Sequence, residues 1–361
     1  MAANKRIYYA TQAVRLQPQN SDCNLSNATW YVPLGVQSVG MTTNFNLTQM
    51  FTLGQQELYD NVDGTPEVEV TLQKNLDGTI PLYLLCMGSG TGSSAAISQG
   101  KQLAELSTNR VHFQLGVYSD TVNKASGNAV HTVTCSGMYL SSIGYSFPID
   151  GFATEDVTLV GNNKVWGSGA TLPGNGTFTT NAYNTTLTSK VPVRRVNVNL
   201  ANSVLPSGRA GIRIPAERTE GIPYVQSISV KANLGRESIN ELGRMSPYFR
   251  YVKFPLEITS EFNVMASDGD YVDAKDFSDL TGCSNNYTNL EDKTISIVVC
   301  GSGGGLNDKM SIDLGPKNKL TSVNYTGGDT GGANATITYS FQTFNYFIVS
   351  ATGSFASGTQ A

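Results

Sequence analysis

The chain has 361 residues and a formal net charge of −4, with 40% hydrophobic and only 14% charged residues. This length fits two or three domains. The hydrophobic share excludes a disordered chain, and the low share of charged residues excludes a coiled coil or helical bundle. The negative balance argues against nucleic-acid binding through a basic surface.

The N-terminal sequence MAANKRIYYATQAV lacks the apolar core of a secretory signal. No apolar run approaches the roughly 18 residues of a membrane helix, so we expect no membrane segment. The five cysteines are odd in number and form no C-x-x-C pair, which indicates neither a zinc site nor a disulfide framework. We therefore expect synthesis in a reducing cytoplasm.

Alternation with a period of two dominates the first half of the chain. It predicts strands near 38–45 and 67–73, each with one apolar and one polar face. The loop between them, 48–64, is long, and such loops are uncommon unless they have a function. A short helix is predicted at 94–106, followed by a strand pair over 139–159.

The second half repeats this order. Strands are predicted near 227–234 and 256–264, separated by a long loop over 236–250. A short helix is predicted at 270–280, and a final strand pair over 323–341. In both halves the polar faces carry hydroxyls and carboxylates but few cations, Lys231 being the clear exception.

Similarity between the halves indicates an internal repeat. Val36-Gln37-Ser38 and Val225-Gln226-Ser227, for example, stand 189 positions apart. The matching blocks are 5–46 with 194–235, 68–71 with 256–259, and 140–145 with 320–325. We predict two copies of one domain, residues 1–163 and 194–361. Residues 164–193, rich in Gly, Thr and Asn, are predicted to be a linker or extended arm.

Several motifs are candidates for catalytic or binding sites. Paired carboxylates such as Glu67 with Glu69 and Glu257 with Glu261 could form a glycosidase pair, but a solvated acidic strand face fits them better. His112 and His131 lie in no catalytic motif, and the glycine-rich run after Gly88 lacks the G-K-[ST] of a phosphate loop. The eight N-x-[ST] sequons are expected by chance in an Asn/Thr-rich chain and do not indicate glycosylation. The interpretation is a protein that is not an enzyme and has no metal and no cofactor.

Two stretches resemble bacteriophage tail tube proteins. Residues 222–264 read IPYVQSISVKANLGRESINELGRMSPYFRYVKFPLEITSEFNV, and residues 138–166 read MYLSSIGYSFPIDGFATEDVTLVGNNKVW. In that family a strand ends near an ELG loop and leads into a P-x-E-[VI]-T strand. A terminal pair then runs SIGYSF…G…EDVTLVG. The two stretches cover directly about a fifth of the chain.

The resemblance implies an all-β fold with short helices, in two tandem tube domains of β-barrel or sandwich type. Each tube domain contributes four antiparallel strands to a ring of six domains, and the sheets join into one large ring-shaped barrel whose lumen conducts DNA. A duplicated chain would build the ring as a homotrimer, and rings would stack head to tail into a filament. Closure would leave no strand edge exposed.

Under this resemblance the polar strand faces would line the lumen, where carboxylates keep DNA from sticking. A neighbouring carboxylate is expected to neutralise Lys231. The predicted lumen residues are Glu67, Glu69, Thr71, Asp156, Thr158, Ser227, Ser229, Lys231, Glu257, Thr259, Glu261, Thr336 and Thr338. The predicted inter-ring loop residues are Gln55, Glu57, Tyr59, Arg236, Glu241, Arg244 and Tyr248.

The expected partners are other copies of this chain, together with tail terminator, baseplate or tail-tip, and tape-measure proteins. A sheath protein is added if the tail is contractile, and DNA passes through without specific binding. The expected location is the virion tail, after synthesis in the bacterial host cytoplasm. Two alternatives stay open: a baseplate hub protein with two tube-like domains, and a secreted β-sandwich adhesin.

Overall fold

The computed structural model describes residues 4, 6–19, 30–88, 100–168, 179–180, 192–200, 224–266, 270, 272, 292–301, 308–328, 330, 334–356 and 359–360. Within these residues most of the regular structure is β-strand. The two α-helices there are short, α1 (Leu82–Met87) and α2 (Leu103–Leu106). The prediction of an all-β protein with short helices is therefore confirmed.

Eight antiparallel strands form one continuous sheet, here called the front sheet. Its strands are β3 (Val36–Asn44), β6 (Glu67–Asn75), β9 (His131–Pro148), β10 (Thr154–Gly161), β14 (Tyr224–Asn233), β17 (Glu257–Met265), β20 (Lys319–Thr326) and β21 (Thr336–Phe344). Their spatial order is β3-β6-β10-β9-β14-β17-β21-β20. The first four belong to the first half of the chain and the last four to the second. The halves meet where β9 pairs with β14, a junction called the internal seam below.

Behind the front sheet each half has a second, smaller sheet. The strands of the first back sheet are β1 (Gln12–Gln19), β2 (Tyr31–Val32), β7 (Arg110–Val117), β11 (Asn163–Ser168) and β23 (Thr359–Gln360), which join the first part of β9. The second back sheet consists of β13 (Val198–Leu200), β18 (Ser296–Cys300), β19 (Lys309–Asp313) and β22 (Ile348–Ala351). Side chains from all three sheets and from α1 form one hydrophobic core.

Three small elements complete the described structure. Hairpins β4 (Thr48–Met50) with β5 (Asp60–Val62) and β15 (Glu237–Ile239) with β16 (Phe249–Tyr251) occupy the two predicted long loops. A two-residue pairing joins β8 (Gly127–Asn128) to β12 (Thr179–Thr180).

The two halves have the same strand order. The front strands run β3-β6-β10-β9 in the first half and β14-β17-β21-β20 in the second, and the back strands run β1-β7-β9-β11 and β13-β18-β19-β22. The β-bulges coincide as well. Pairing shifts at Gln37 in β3 and at Gln226 in β14, and each glutamine amide donates to the carbonyl two residues before it. A second shift skips Ser141 in β9 and Thr321 in β20.

The strand registers correct one block of the sequence alignment. Met41 pairs with Val70, while its counterpart Val230 pairs with Ser260. The counterpart of Glu67 is therefore Glu257, whereas the alignment of 68–71 with 256–259 had matched Glu69 to Glu257. The displacement is two residues, so the predicted strand face is unchanged.

The first back sheet was not predicted, because its strands β1 and β7 do not alternate. Seven of eight residues in both β1 and β7 are buried, so no polar face breaks the pattern. Strands buried on both faces look like apolar runs or, with Arg15 and Pro18 in β1, like loops.

The described residues test the helix and linker predictions only in part. Of the predicted helix 94–106, residues 94–99 lie outside the described residues, and only Leu103–Leu106 is helical in the rest. Of 270–280, only Asp270 and Val272 are described. Residues 163–168 form β11, so the predicted linker begins inside a strand. Near its end Val193 is buried and bonded to Leu76 and Ala153.

A buried polar network anchors α1 to the front sheet. Glu155 accepts hydrogen bonds from the backbone N–H groups of Leu82 (2.6 Å) and Tyr83 (2.9 Å) and from the Tyr145 hydroxyl (2.8 Å). The carboxylate thus satisfies N–H groups that a helix start leaves without intrahelical partners. Burial raises the pKa of Glu155, while these hydrogen bonds oppose that rise.

Acidification is expected to destabilise the fold through His112 in β7. The imidazole is buried, its Nδ1 accepts a hydrogen bond from the Gly137 N–H (3.0 Å), and burial and then the Arg110 charge lower its pKa from 6.5 to about 4. Because the unfolded chain binds the proton more readily, stability falls as pH drops from about 6.5 to 4, by up to about 3 kcal/mol. Denaturant unfolding at pH 7 and pH 4.5 measures this loss. In the matched variant His112→Asn, whose amide oxygen replaces Nδ1, the loss should be clearly smaller; an equal loss would contradict the assignment.

Candidate functional site

The side of the front sheet that points away from the core is called the polar face. Side chains alternate along a strand, and strand pairing places Thr71 opposite Thr158 and Gly144 opposite Lys231 on this face. The registers place all the predicted lumen positions there: Glu67, Glu69, Thr71, Asp156, Thr158, Ser227, Ser229, Lys231, Glu257, Thr259, Glu261, Thr336 and Thr338. The core-facing neighbours on the same strands, such as Val70 and Ile258, are fully buried.

The polar face is mainly acidic. Glu69, Asp156, Glu257 and Glu261 are exposed there, while Lys231 is its only exposed cation among the predicted positions. Most of the remaining positions are half-buried serines and threonines. These carboxylates need no fixed partner, because water solvates them.

Glu67 differs from the other carboxylates of the polar face. It is half-buried, and its Oε1 accepts a hydrogen bond from the Arg250 guanidinium at 2.9 Å. Arg250, itself buried, also donates to the Asn162 side chain. Glu67 therefore belongs to a contact between the two halves, and its charge is neutralised.

Lys231 does not have the neutralising partner that the sequence suggested. Its cross-strand neighbours are Gly144 and Thr259, and the ion pairs formed by the described residues do not include it. Asp156 lies on the far side of Gly144, whose missing side chain leaves room between them. The ammonium is thus solvated on a face of opposite charge.

A shallow groove of about 720 Å³ crosses the polar face at the internal seam. Its walls include Asp156 and Lys231 on the sheet and Lys253, Phe254 and Glu257 on the segment that leads into β17. The two carboxylates and two ammonium groups balance in charge. The groove is therefore lined by residues of both halves.

The two hairpins, called hairpin arms, are near copies of each other. Tyr59 and Tyr248 each donate a backbone hydrogen bond, to Met50 (2.9 Å) and Ile239 (2.7 Å) respectively. Gly54 and Gly243 have positive φ at corresponding turns. The tip residues Leu53 and Leu242 are fully exposed, at 104% and 105%. Both arms therefore present apolar side chains to solvent in the same way.

Most predicted loop residues lie on the exposed parts of the hairpin arms. Gln55, Glu57, Tyr59, Glu241, Arg244 and Tyr248 are all exposed, and Glu241 pairs with Arg244 at 3.6 Å.

Arg236 is the exception among the predicted loop residues. Its guanidinium donates to the carbonyls of Leu140 (2.7 Å), Ser107 (2.6 Å) and Arg250 (3.3 Å) and lies over the Tyr139 ring. Burial lowers its pKa to about 10. Arg236 therefore connects the second arm to the first half of the chain, and its guanidinium is engaged in contacts within the chain. The local sequence Leu234-Gly235-Arg236 gave no signal of this contact.

Other candidate chemistry is not assembled in the part of the chain described above. His112 is buried in a back sheet, and His131 lies at the exposed start of β9. No group of three potential metal ligands occurs among the described residues. The described helices include none long and apolar enough to span a membrane.

Comparison with known proteins identified no relative: no family model matches the chain, and no curated protein matches it. Support for a function comes from the polar face, the hairpin arms and the open edges of the front sheet.

Proposed function

We propose that this protein is the structural subunit of a bacteriophage tail tube. The observation that carries the proposal is the front sheet, in which two sets of four strands with equal order and equal bulges stand side by side. Such a sheet supports two tandem copies of one tube domain. Three chains would supply six copies, the number that the resemblance implies.

The open edges of the front sheet support lateral assembly. Among the described residues β3 pairs only with β6, and β20 only with β21. Each outer strand therefore presents a row of unpaired backbone N–H and C=O groups, which proteins normally cover or blunt. A ring of copies would pair every edge and close the sheet into a barrel.

The polar face supports a lumen. A conduit for DNA must be filled with water and must not bind phosphate. At the predicted lumen positions four exposed carboxylates outnumber the one exposed cation, Lys231, so the face offers few of the cations through which proteins hold DNA. Glu69, Asp156, Glu257 and Glu261 meet this requirement, and their exposure within one chain agrees with a water-filled channel. In the ring the core side of the front sheet faces outward, towards the back sheets.

The hairpin arms support stacking of rings. Leu53, Leu242, Tyr59 and Tyr248 expose apolar surface at corresponding positions of both arms, and a contact with an adjacent ring would cover it. The contact would be heterologous, so stacking would continue into a tube.

Electron microscopy of the purified chain tests the proposal. The expected result is rings that stack into hollow tubes. In the variant with both Leu53→Ser and Leu242→Ser we expect rings that no longer stack. Isolated rings from the unmodified chain would favour a baseplate hub protein, and a monomer at all concentrations would overturn the proposal.

A further inference from the structure

The two outer strands of the front sheet are the counterparts of the two strands that meet at the internal seam. By position and bulge, β3 corresponds to β14, and β20 corresponds to β9. At the internal seam Lys231 lies opposite Gly144. The same register at an outer edge places Thr42 of one copy opposite Asn324 of another.

Exposure at corresponding positions shows which surface a second copy would cover. Leu234 at the internal seam is 0% exposed, whereas its counterpart Phe45 is 62% exposed. Tyr145 is 2% exposed, whereas its counterpart Tyr325 is 53% exposed. By contrast, Leu53 and Leu242 at the arm tips are equally exposed. At these two positions the other half of the same chain covers the side chain at the internal seam, whereas the counterpart at an outer edge is exposed.

The internal seam is reinforced by an aromatic and arginine cluster. The rings of Tyr139 and Phe249 meet edge to face with centroids 5.5 Å apart, and the Arg110 guanidinium lies over both. Arg236 lies over Tyr139 at 5.1 Å. This cluster fixes the second hairpin arm to the first half.

The corresponding positions at the outer edges carry opposite charges in place of the aromatic pair. Lys319 corresponds to Tyr139, and Asp60 corresponds to Phe249. Leu47, at the position of Arg236, is 59% exposed and would face the counterpart of Leu140, Leu320. An ammonium and a carboxylate at these positions are complementary between copies.

We propose that copies of this chain join through β20 of one and β3 of the next in the register of the internal seam, with Lys319 of one copy paired with Asp60 of the next. The inference rests on lateral assembly under the proposed function. Lys319 is half exposed and lies 3.8 Å from Asp292, a surface contact that it can exchange at little cost. Asp60 is exposed and takes part in no ion pair formed by the described residues. Its Oδ1 accepts a hydrogen bond from the neighbouring Asn61 N–H (2.8 Å), which a carboxylate can keep while it pairs with an ammonium.

Disulfide cross-linking tests the register. Thr42→Cys with Asn324→Cys places the two thiols in a pair that is not hydrogen-bonded, the closer kind in an antiparallel ladder. Mild oxidation of assembled protein is expected to yield covalent oligomers up to a closed trimer. The control, Thr42→Cys with Ser322→Cys, keeps the same face but is out of register by two residues. It should cross-link at least about tenfold less, because the Cα atoms exceed about 7 Å.

Charge reversal tests the ion pair. Asp60→Lys alone and Lys319→Asp alone should each raise the protein concentration needed for assembly about tenfold. The double variant should assemble at a concentration within about threefold of that needed by the unmodified chain. Absence of rings from the unmodified chain would overturn the proposed function. Rings that form without the in-register cross-link would overturn this inference but not the proposed function. A double variant that assembles no more readily than the single variants would show that Lys319 and Asp60 do not pair between copies.

Discussion

Tyr325→Pro is expected to leave the chain folded and to stop it from assembling. At the internal seam the Leu234 N–H donates to the Ser141 carbonyl at 2.8 Å, and alternate N–H groups along a strand point the same way. The N–H of Tyr145 therefore faces β14, and the N–H of its counterpart Tyr325 faces the open edge of β20. Proline removes that donor and places its ring in the path of an incoming strand.

The intrachain pairing of β20 with β21 does not use this N–H group. Proline is tolerated on edge strands for that reason, so we expect the free energy of unfolding to change by no more than about 2 kcal/mol. Light scattering and electron microscopy measure assembly, and circular dichroism with denaturant unfolding measures the fold. Tyr325→Val is the matched control, because it removes the ring but keeps the N–H, and it should still assemble. Tubes formed normally by Tyr325→Pro would contradict pairing through this edge.

The second large effect is expected on DNA passage. Glu69→Lys with Glu257→Lys replaces two exposed carboxylates of the polar face by ammonium groups in every chain. Neither glutamate belongs to an ion pair of the described residues, so assembly should be largely unchanged. Repeated around and along a tube, the lysines would form a cationic lining that retains phosphate.

Duplex DNA added to assembled tubes measures this retention. The lysine variant should bind at least about tenfold more DNA at 50 mM salt than the unmodified tubes, and the excess should fall steeply towards about 200 mM. A virion that carries the variant should eject DNA poorly. The control with Glu69→Gln and Glu257→Gln removes charge without adding any and should resemble the unmodified protein. Unchanged DNA retention and unchanged infectivity in the lysine variant would argue against an acidic lumen.

The front sheet could be predicted from sequence because one of its faces is exposed to solvent. In β6, polar Glu69, Thr71 and Gln73 alternate with buried Val70 and Leu72, which fixes both the strand and its orientation. The first back sheet could not be predicted, because β7 is buried along nearly its whole length and its His112 and Gln114 look like surface residues in the sequence.

The residue types of the candidate site could be predicted from sequence, but the contacts between distant segments could not. The acidic pattern located the polar face, yet nothing local to Glu67 indicates that it pairs with Arg250, 183 residues away. Arg236 was likewise assigned to a free loop, because its three carbonyl partners lie on distant segments. The helix α1 was missed since its six residues are apolar and its N-terminal cap is the remote carboxylate of Glu155.

The pairing of β9 with β14 has a consequence for how the protein would respond to dilution. A junction within one chain forms at an effective concentration set by the polypeptide itself, so it persists however dilute the solution becomes. A junction between chains follows mass action and loses translational and rotational freedom each time it forms. If six domains encircle a channel, three of their contacts are present before any two molecules meet. Fusing the halves thus halves the number of contacts between molecules that closure requires and makes whole chains, rather than single domains, the units that are exchanged.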